Sequence, residues 1–435
     1  MHRTQHNNLI WSCLPLTLFS TVFGLLLVVY VAMPAWAISI AKAVPTSAVI
    51  AFVLTVALSP GRRLQMLRAA VAGASQSMVL QMGLIFVVAG LFAALGRAIG
   101  SVDALVAMSL HLLPQQWLLP GLFVASCITS LAMGTSMGTL AAVVPIAVGV
   151  AAAGGALLPI CVATVMGGAM FGDNLSVISD TTIAATKTQG CSMRSKLLAN
   201  GPVALLAACI SVALLLLLPH SPTSEQPPLN LSTSWAAAWP YGCVLLLAVC
   251  GLPVLWVLAM GIGLCLITGI VQGSLSLIQL PGLVLAGCSS MLDVLLATFS
   301  VAALVQVLQT RGGLQALLNA LRRHVHSPAT AEVSIATMAV VADICTANNT
   351  IAILLCGPLV QRTGEQFELN RARCASLLDI YACLPQGLLP YGAQMLLATA
   401  LSGVSPLQIL PYVIYPVLLA VFASIGIVKR IYVAA

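Results

Sequence analysis

Charged residues are scarce in this chain: only 6% of its 435 residues are Asp, Glu, Lys or Arg, whereas 60% are hydrophobic. A soluble domain carries about 25% charged residues. A fold that faced water on all sides could not hide this much apolar surface. The composition therefore excludes a soluble protein and predicts a polytopic membrane protein surrounded by the lipid bilayer.

Aromatic residues are also scarce, at 5%, whereas the chain has 34 glycines. A membrane β-barrel would show short alternating strands with girdles of aromatic residues, and the sequence has no such pattern. Small residues instead favour helices that pack closely in a membrane. The apolar runs predict an all-α protein with about 11–14 transmembrane helices. The first of these runs is 11–33 and the shortest is 312–327.

The net charge of +7 arises from short basic clusters between the apolar runs. That distribution is typical of cytoplasmic loops, so we expect no nucleic-acid partner and no basic side chain in the core of a span. The 13 cysteines contain no C-x-x-C pair, which argues against a zinc or disulfide framework. The basic clusters are Arg62, Arg63 and Arg68; Lys187, Arg194 and Lys196; Arg362, Arg371 and Arg373; and Lys429 with Arg430.

A polar segment rich in Pro and Ser, residues 219–234, divides the chain into two predicted transmembrane repeats, 1–218 and 235–435. Residues match between the two repeats at a single offset of 213 (358 − 145). One offset across most of each half indicates an internal repeat. The matching pairs are Pro145 and Pro358, Ser77-Met78 and Ser290-Met291, Gly100 and Gly313, Cys161 and Cys374, and Thr135-Ser136 and Asn348-Asn349.

Charges at equivalent loops predict that the two repeats are inverted in the membrane. The loop around Arg62 is basic, whereas its counterpart at 271–279 has no charge. The apolar turn at Gly154-Gly155 corresponds to the charged loop 361–373. Inverted repeats with helices that break near the midplane are typical of secondary transporters.

Four polar segments interrupt the apolar pattern, at 134–139, 173–182, 343–350 and 379–390. Glycine, proline and hydroxyl residues in the middle of a span weaken the helix, and unwound backbone at that depth must line a cavity or be buried in protein. The free carbonyls of a broken helix attract cations, and its free amides attract anions. We therefore expect discontinuous helices that meet at one central site.

Five aspartates fall within apolar stretches: Asp173, Asp180, Asp293, Asp343 and Asp379. Each costs about 2.5–3.5 kcal/mol at the centre of a membrane helix, so each must hold a proton or meet a cation. A hard cation such as Na⁺ prefers oxygen ligands. We predict cation and proton binding at Asp173, Asp180, Asn174, Ser176, Ser179, Thr181 and Asp343, with Na⁺ at Asp173 and Asp180. Further ligands are expected from the helix breaks and the second repeat: Thr135, Ser136, Thr346, Asn348, Asn349, Thr350 and Asp379.

Two simpler interpretations compete with this site. Membrane serines and threonines often bond back to their own helix, so any single hydroxyl here can be structural. Gly134 to Gly138 also fits G-x-S-x-G, the serine hydrolase motif. A nucleophilic serine needs a base, and all six histidines fall in predicted loops or at the ends of spans. We therefore expect no enzyme.

The segment FGDNLSVISDTT, with GTSMGTLAAVVP upstream, resembles the signature of NhaC-type sodium/proton antiporters of the ion transporter superfamily. The pattern G-D-x-x-S-x-x-S-D-T-T matches from Gly172 to Thr182. The resemblance implies a carrier with inverted repeats in the cytoplasmic (inner) membrane that exchanges Na⁺ for H⁺. It also implies that relatives carry organic solutes, and Asn174 stands where the family pattern has a basic residue.

Three functions follow from these observations. The first is Na⁺/H⁺ antiport, with Na⁺ and H⁺ as partners and no cofactor beyond Na⁺ as the transported or coupling ion. The second is Na⁺- or H⁺-coupled transport of a small carboxylate or amino acid, held by the Asn348 and Asn349 amides. The third is a channel, which needs neither inverted repeats nor a titrating acid. A homodimer is compatible with all three.

Overall fold

The computed structural model describes residues 11–32, 40–59, 61–101, 104, 114–152, 156–218, 231–323 and 325–429. Within these ranges the chain is all-α: twenty α-helices and two short 3₁₀ turns, with no strand. The sequence prediction of a helical fold is confirmed.

The helices of the first half are α1 Leu14–Ala32, α2 Ile40–Ala57, α3 Arg63–Ala74, α4 Ser77–Ala98, α5 Leu118–Met133, α6 Ser136–Ala152, α7 Leu158–Leu175, α8 Asp180–Gln189 and α9 Met193–Leu217. Those of the second half are α10 Leu231–Val249, α11 Val254–Val271, α12 Leu280–Ser290, α13 Leu292–Thr310, α14 Gly313–Arg322, α15 Pro328–Thr346, α16 Asn349–Gln366, α17 Arg371–Leu388, α18 Ala393–Ser402, α19 Pro406–Ile409 and α20 Tyr415–Lys429.

Helix boundaries recur between the halves at the offset of 213 found in the sequence. Helix α7 shifted by 213 residues coincides with α17, and α8 shifted by the same number coincides with α18. Helix α5 ends where α15 ends, and α6 begins where α16 begins. The arrangement of these helices is therefore repeated in the two halves. The division into domains at 218 and 235 stays a prediction.

Contacts between the halves are reciprocal. Helix α8 of the first half packs on α16 of the second, and its counterpart α18 packs on α6. Helices α3 and α13 pack together, as do their counterparts α12 and α4. Such an exchange of equivalent contacts is the mark of a two-fold relationship. The orientation of that axis relative to the membrane, and hence the inversion of the repeats, stays a prediction.

Four helices break where the sequence predicted, and each break is short. They separate α5 from α6, α7 from α8, α15 from α16, and α17 from α18. The prediction of discontinuous helices is confirmed. Within the described ranges, six helical stretches are long and apolar enough to cross a bilayer, seven if the bent unit 371–412 counts as one. Six further helices are apolar but shorter, and the predicted total of 11–14 spans includes both kinds.

One predicted span is wrong. The run 312–327 is not a span, because it forms the ten-residue helix α14, which buries only one side. Helix α10 begins at Leu231, inside the predicted linker 219–234. Residues 219–230 lie outside the described ranges, and the bounds of the linker stay a prediction.

Small residues let the helices around the site approach closely. A Cβ at Gly168 of α7 would lie 2.6 Å from the Phe123 carbonyl oxygen and 2.6 Å from Ser126 Cβ on α5. A Cβ at Gly172 would lie 2.1 Å from Ser130 Oγ. Helix α5 can therefore lie directly against α7 only because these positions have no side chain.

Candidate functional site

A cavity of about 90 Å³ lies where the four helix breaks converge. One further wall comes from α4, which contributes Met78, Gln81, Met82 and Ile85. The first residues of α6, α8, α16 and α18 all line the cavity, so four helix N-termini surround it. A helix N-terminus presents unpaired N–H groups and a partial positive charge.

The first two breaks place a carboxylate at one of these N-termini. Gly134 follows the last residue of α5, Met133, and its φ of 66° turns the chain so that α6 can start at Ser136. The Ser136 N–H donates to Asp173 Oδ1 at 3.0 Å. Asp173 is 6% exposed, and its carboxylate therefore compensates the positive end of α6.

The break between α7 and α8 is held by hydroxyl groups. Thr181 Oγ1 donates to the Asp173 carbonyl at 3.0 Å, and Thr182 Oγ1 donates to the same oxygen at 3.3 Å. Ser179 Oγ and Thr181 Oγ1 share a hydrogen bond of 3.0 Å. Asp180 is the first residue of α8, and it is exposed on the cavity wall. The two predicted carboxylates thus face one cavity from the two sides of a single break.

The second half contributes amide side chains to the site, and one of them occupies the position equivalent to Asp173. Gln394 Nε2 donates to Asp173 Oδ2 at 3.4 Å and also to Ser136 Oγ. Gln386, which occupies the position equivalent to Asp173, is 3% exposed, and its Oε1 has no hydrogen-bond partner among the described residues. Asn348 caps α16, because its Oδ1 accepts from the Ile351 N–H at 3.0 Å.

Nine of the fourteen predicted residues line the cavity. They are Thr135, Ser136, Asp173, Ser179, Asp180, Thr181, Asn348, Asn349 and Thr350. The other five do not line it: Asn174, Ser176, Asp343, Thr346 and Asp379. Their binding roles, and Na⁺ at Asp173 and Asp180, stay predictions.

Three of these five donate instead to backbone carbonyls of their own helix or of a neighbouring helix. Asn174 Nδ2 donates to the Met170 carbonyl at 2.8 Å, one turn earlier in α7. Ser176 Oγ donates to the Leu131 carbonyl at 2.7 Å and ties the end of α7 to α5. Thr346 Oγ1 bonds back to the Ala342 carbonyl at 2.8 Å. These contacts fit the simpler interpretation of polar residues in membrane helices.

Asp379 pairs with a buried lysine, Lys196, and this lysine contradicts the expectation that no basic side chain reaches the core of a span. Lys196 is fully buried, and its Nζ lies 2.7 Å from Asp379 Oδ2. The sequence placed Lys196 in a basic loop beside Lys187 and Arg194. The loop ends at Ser192, however, and α9 begins at Met193, so Lys196 already belongs to a helix that packs on α17.

Asp343 is buried apart from the cavity. It is 0% exposed, and neither of its carboxyl oxygens has a hydrogen-bond partner within the described part of the chain. The equivalent residue of the first half is Ser130, whose Oγ donates to the Ala169 carbonyl at 2.5 Å. The repeat thus places an acid in one half where a hydroxyl suffices in the other.

Sequence reasoning missed five polar residues around the site: Gln81, Lys196, Asn200, Gln386 and Gln394. The offset could have found two of them, because Gln386 and Gln394 are the equivalents of Asp173 and Thr181.

Comparison with known proteins agrees with the sequence signature. The model of the Na⁺/H⁺ antiporter family matches residues 4–218 and 233–429. A segment of 81 residues is 41% identical to an uncharacterized protein of Haemophilus influenzae, and it spans 18% of this chain and 16% of that protein. The crystal structure of the Alcanivorax borkumensis YdaH transporter, described as having an unusual topology, is similar at 14% sequence identity. The alignment covers 86% of this chain and 90% of the YdaH chain, with a TM-score of 0.44. Because the family model covers nearly all of its length, this multi-pass membrane protein belongs to the Na⁺/H⁺ antiporter family.

Proposed function

We propose that the protein exchanges Na⁺ for H⁺ across the cytoplasmic membrane, with Asp173 and Asp180 as the carboxylates that bind either ion. The observation that supports this most strongly is that both side chains line one small polar cavity at the convergence of four broken helices. Family membership favours the same reaction.

The surroundings of Asp173 suit a reversible cation ligand. Its Oδ1 is oriented by the Ser136 N–H, and its Oδ2 lies 3.4 Å from Gln394 Nε2. Asp180, by contrast, is exposed on the wall of the same cavity. Hydroxyl oxygens of Ser136, Ser179 and Thr181 line the same space. A hard cation can therefore replace protons on the carboxylates and find neutral oxygens beside them.

Exchange follows if Na⁺ and H⁺ compete for the same carboxylates. Na⁺ binds when they are ionised, and protonation releases it. Helices α8 and α18 each pack on the opposite half. A movement of one half against the other would therefore open the cavity to one side of the membrane at a time. Enclosing two ionised carboxylates without a cation would be costly, which favours movement only with an ion or protons bound.

The test uses inverted membrane vesicles from a host that lacks its own antiporters. The vesicles are acidified inside, an acridine-type dye reports the pH gradient, and NaCl, LiCl or KCl is added. We expect proton release by the wild type and none by Asp173→Asn or Asp180→Asn. Glu365→Gln is the matched control, because Glu365 is an exposed acid in a surface ion pair with Arg371. Absence of a response from well-expressed wild type, or an undiminished response from Asp180→Asn, would contradict the proposal.

Competition between Na⁺ and H⁺ also predicts how the Na⁺ dependence of exchange changes with pH. At acid pH, the Na⁺ concentration that gives half-maximal exchange should rise by roughly tenfold for each unit by which the pH falls, if one proton must leave before Na⁺ binds. The maximal rate at saturating Na⁺ should change much less. A half-maximal concentration independent of pH would exclude a shared site.

One observation favours a second candidate, coupled transport of a small carboxylate or amino acid. The cavity is surrounded by four helix N-termini, and the amides of Asn349, Gln386 and Gln394 line its second-half wall. Such groups bind a carboxylate well. Uptake of radiolabelled amino acids and hydroxy acids by proteoliposomes, with and without a Na⁺ gradient, separates the two functions. Accumulation that depends on the Na⁺ gradient would make Na⁺ the driving ion.

A further inference from the structure

The ammonium group of Lys196 is enclosed by oxygen atoms. Lys196 is 0% exposed, and its Nζ donates to the Asn174 carbonyl at 2.6 Å, to Asp379 Oδ2 at 2.7 Å and to Thr182 Oγ1 at 2.9 Å. The three acceptors are a carbonyl, a carboxylate and a hydroxyl, which is the set of ligands that a hard cation prefers.

The ammonium group of Lys196 lies at the C-terminal end of α7, the end of a broken helix that attracts cations. Helix α7 ends at Leu175, so the Asn174 carbonyl is one of the last four and has no acceptor role within the helix. The C-terminal end of a helix carries a partial negative charge. Asn200 Nδ2 also donates to this carbonyl, at 3.0 Å, and completes the polar enclosure.

The fold does not need a charged pair here. At the offset of 213, the positions equivalent to Lys196, Thr182 and Asp379 hold apolar residues, and all three are buried. They are Ile409, Met395 and Met166. A buried ion pair is often no more stabilising than well-packed apolar residues. Since the repeat closes the equivalent place without charge, packing alone does not explain the pair.

We propose that the Lys196 ammonium group is a built-in cation that fills a monovalent-cation pocket at the break between α7 and α8. The pocket consists of the Asn174 carbonyl, the Thr182 hydroxyl and the Asp379 carboxylate. It lies next to the cavity, because Thr182 follows Thr181 of the cavity wall. The tethered charge keeps free cations out of this pocket and leaves Asp173 and Asp180 as the acids open to exchange. The inference concerns a pocket outside the cavity and does not depend on antiport there.

The test is to remove the tethered cation and ask whether Na⁺ takes its place. Purified protein carrying Asp173→Asn and Asp180→Asn provides a background without cavity carboxylates. Thermal unfolding is followed in NaCl, with choline chloride at equal ionic strength as the control. Adding Lys196→Ala should create a saturable Na⁺-dependent rise in the unfolding temperature, roughly 4 °C at 100 times the dissociation constant. Adding Asp379→Asn as well should abolish that rise. Binding of ²²Na⁺ to the same variants gives a direct second readout.

Three results would overturn the proposal. The first is a monodisperse Lys196→Ala protein with no Na⁺ response beyond that of its background. The second is a response that persists after Asp379→Asn. The third is a Lys196→Ala variant that fails to fold at every Na⁺ concentration while the variant with both changes folds, which would make the pair structural only. A Na⁺ response already present in the background would instead count against the assignment of Asp173 and Asp180, so the two proposals fail separately.

Discussion

Gly134 and Ala347 stand 213 residues apart and end their helices, α5 and α15, in the same left-handed conformation, with φ of 66° and 50°. In each case the left-handed residue ends one helix and turns the chain so that the next helix begins at the cavity. A glycine adopts this conformation freely, whereas an alanine does so at a cost. The two breaks are thus the same device, made from different residues.

Exchanging these two residue types should have opposite effects. Ala347→Gly relieves the strain and should raise the free energy of unfolding by up to about 1 kcal/mol. Gly134→Ala introduces the strain and places a Cβ 2.5 Å from Ile178 Cγ1, so it should lower the free energy of unfolding by about 2 kcal/mol or more. Thermal unfolding of the purified variants measures both, and a loss of stability in Ala347→Gly would contradict the prediction.

Asp173 should have separable roles in stability and transport. Asp173→Asn keeps an oxygen that can accept from the Ser136 N–H, so we expect near wild-type stability but no exchange. Asp173→Ala also leaves that N–H without its partner and should lose about 1–3 kcal/mol of stability. Vesicle assays and thermal unfolding on the same preparations check the prediction. Equal stability of the two variants would show that the bond to Ser136 contributes little.

Close packing of α7 on α5 predicts a second contrast between glycines. Gly168→Ala would force a Cβ to 2.6 Å from the Phe123 carbonyl and should cost about 1–3 kcal/mol. Gly263 lies within α11 with no atom inside 4 Å of its added Cβ, so Gly263→Ala should stabilise by up to about 1 kcal/mol. The difference in unfolding temperature between these two alanine variants is the measurement. If Gly168→Ala were as stable as the wild type, α5 and α7 would have to be farther apart than described.

Asp343 should reduce stability in its present place. Its two carboxyl oxygens have no partner among the described residues, so Asp343→Ser, which copies Ser130 of the first half, should stabilise by about 1 kcal/mol. Asp293→Ser is the matched control, because Asp293 is only half-buried in the first turn of α13 and favours the helix there. A loss of stability in Asp343→Ser that Asp293→Ser does not share would indicate that the acid holds an ion or a proton that stabilises the fold.

The helix breaks could be predicted because their signals are local. Glycine, proline and hydroxyl residues in an apolar run weaken a helix wherever it packs, and the structure breaks at all four such segments. The repeat was visible for a similar reason, since a constant offset needs no knowledge of contacts.

Residues recruited by tertiary packing were not predictable in the same way. Lys196 follows Lys187 and Arg194 and has the sequence environment of a loop residue. Its burial depends on α9 beginning at Met193 against α17, which no local signal records. Gln394 is a single amide in an apolar run, and it reaches Asp173 only because α18 packs on the opposite half.

The exchange of α8 and α18 between the halves has a consequence for synthesis. A ribosome that has finished residue 218 has made α6 and α8, but α18 and α16, which cover them, do not yet exist. Until the second half is inserted, the second-half wall of the cavity, including Gln394 beside the Asp173 carboxylate, is missing. The nascent first half therefore lies in the bilayer with α6 and α8 not yet covered, and the cavity lined by both halves forms only when translation is nearly complete.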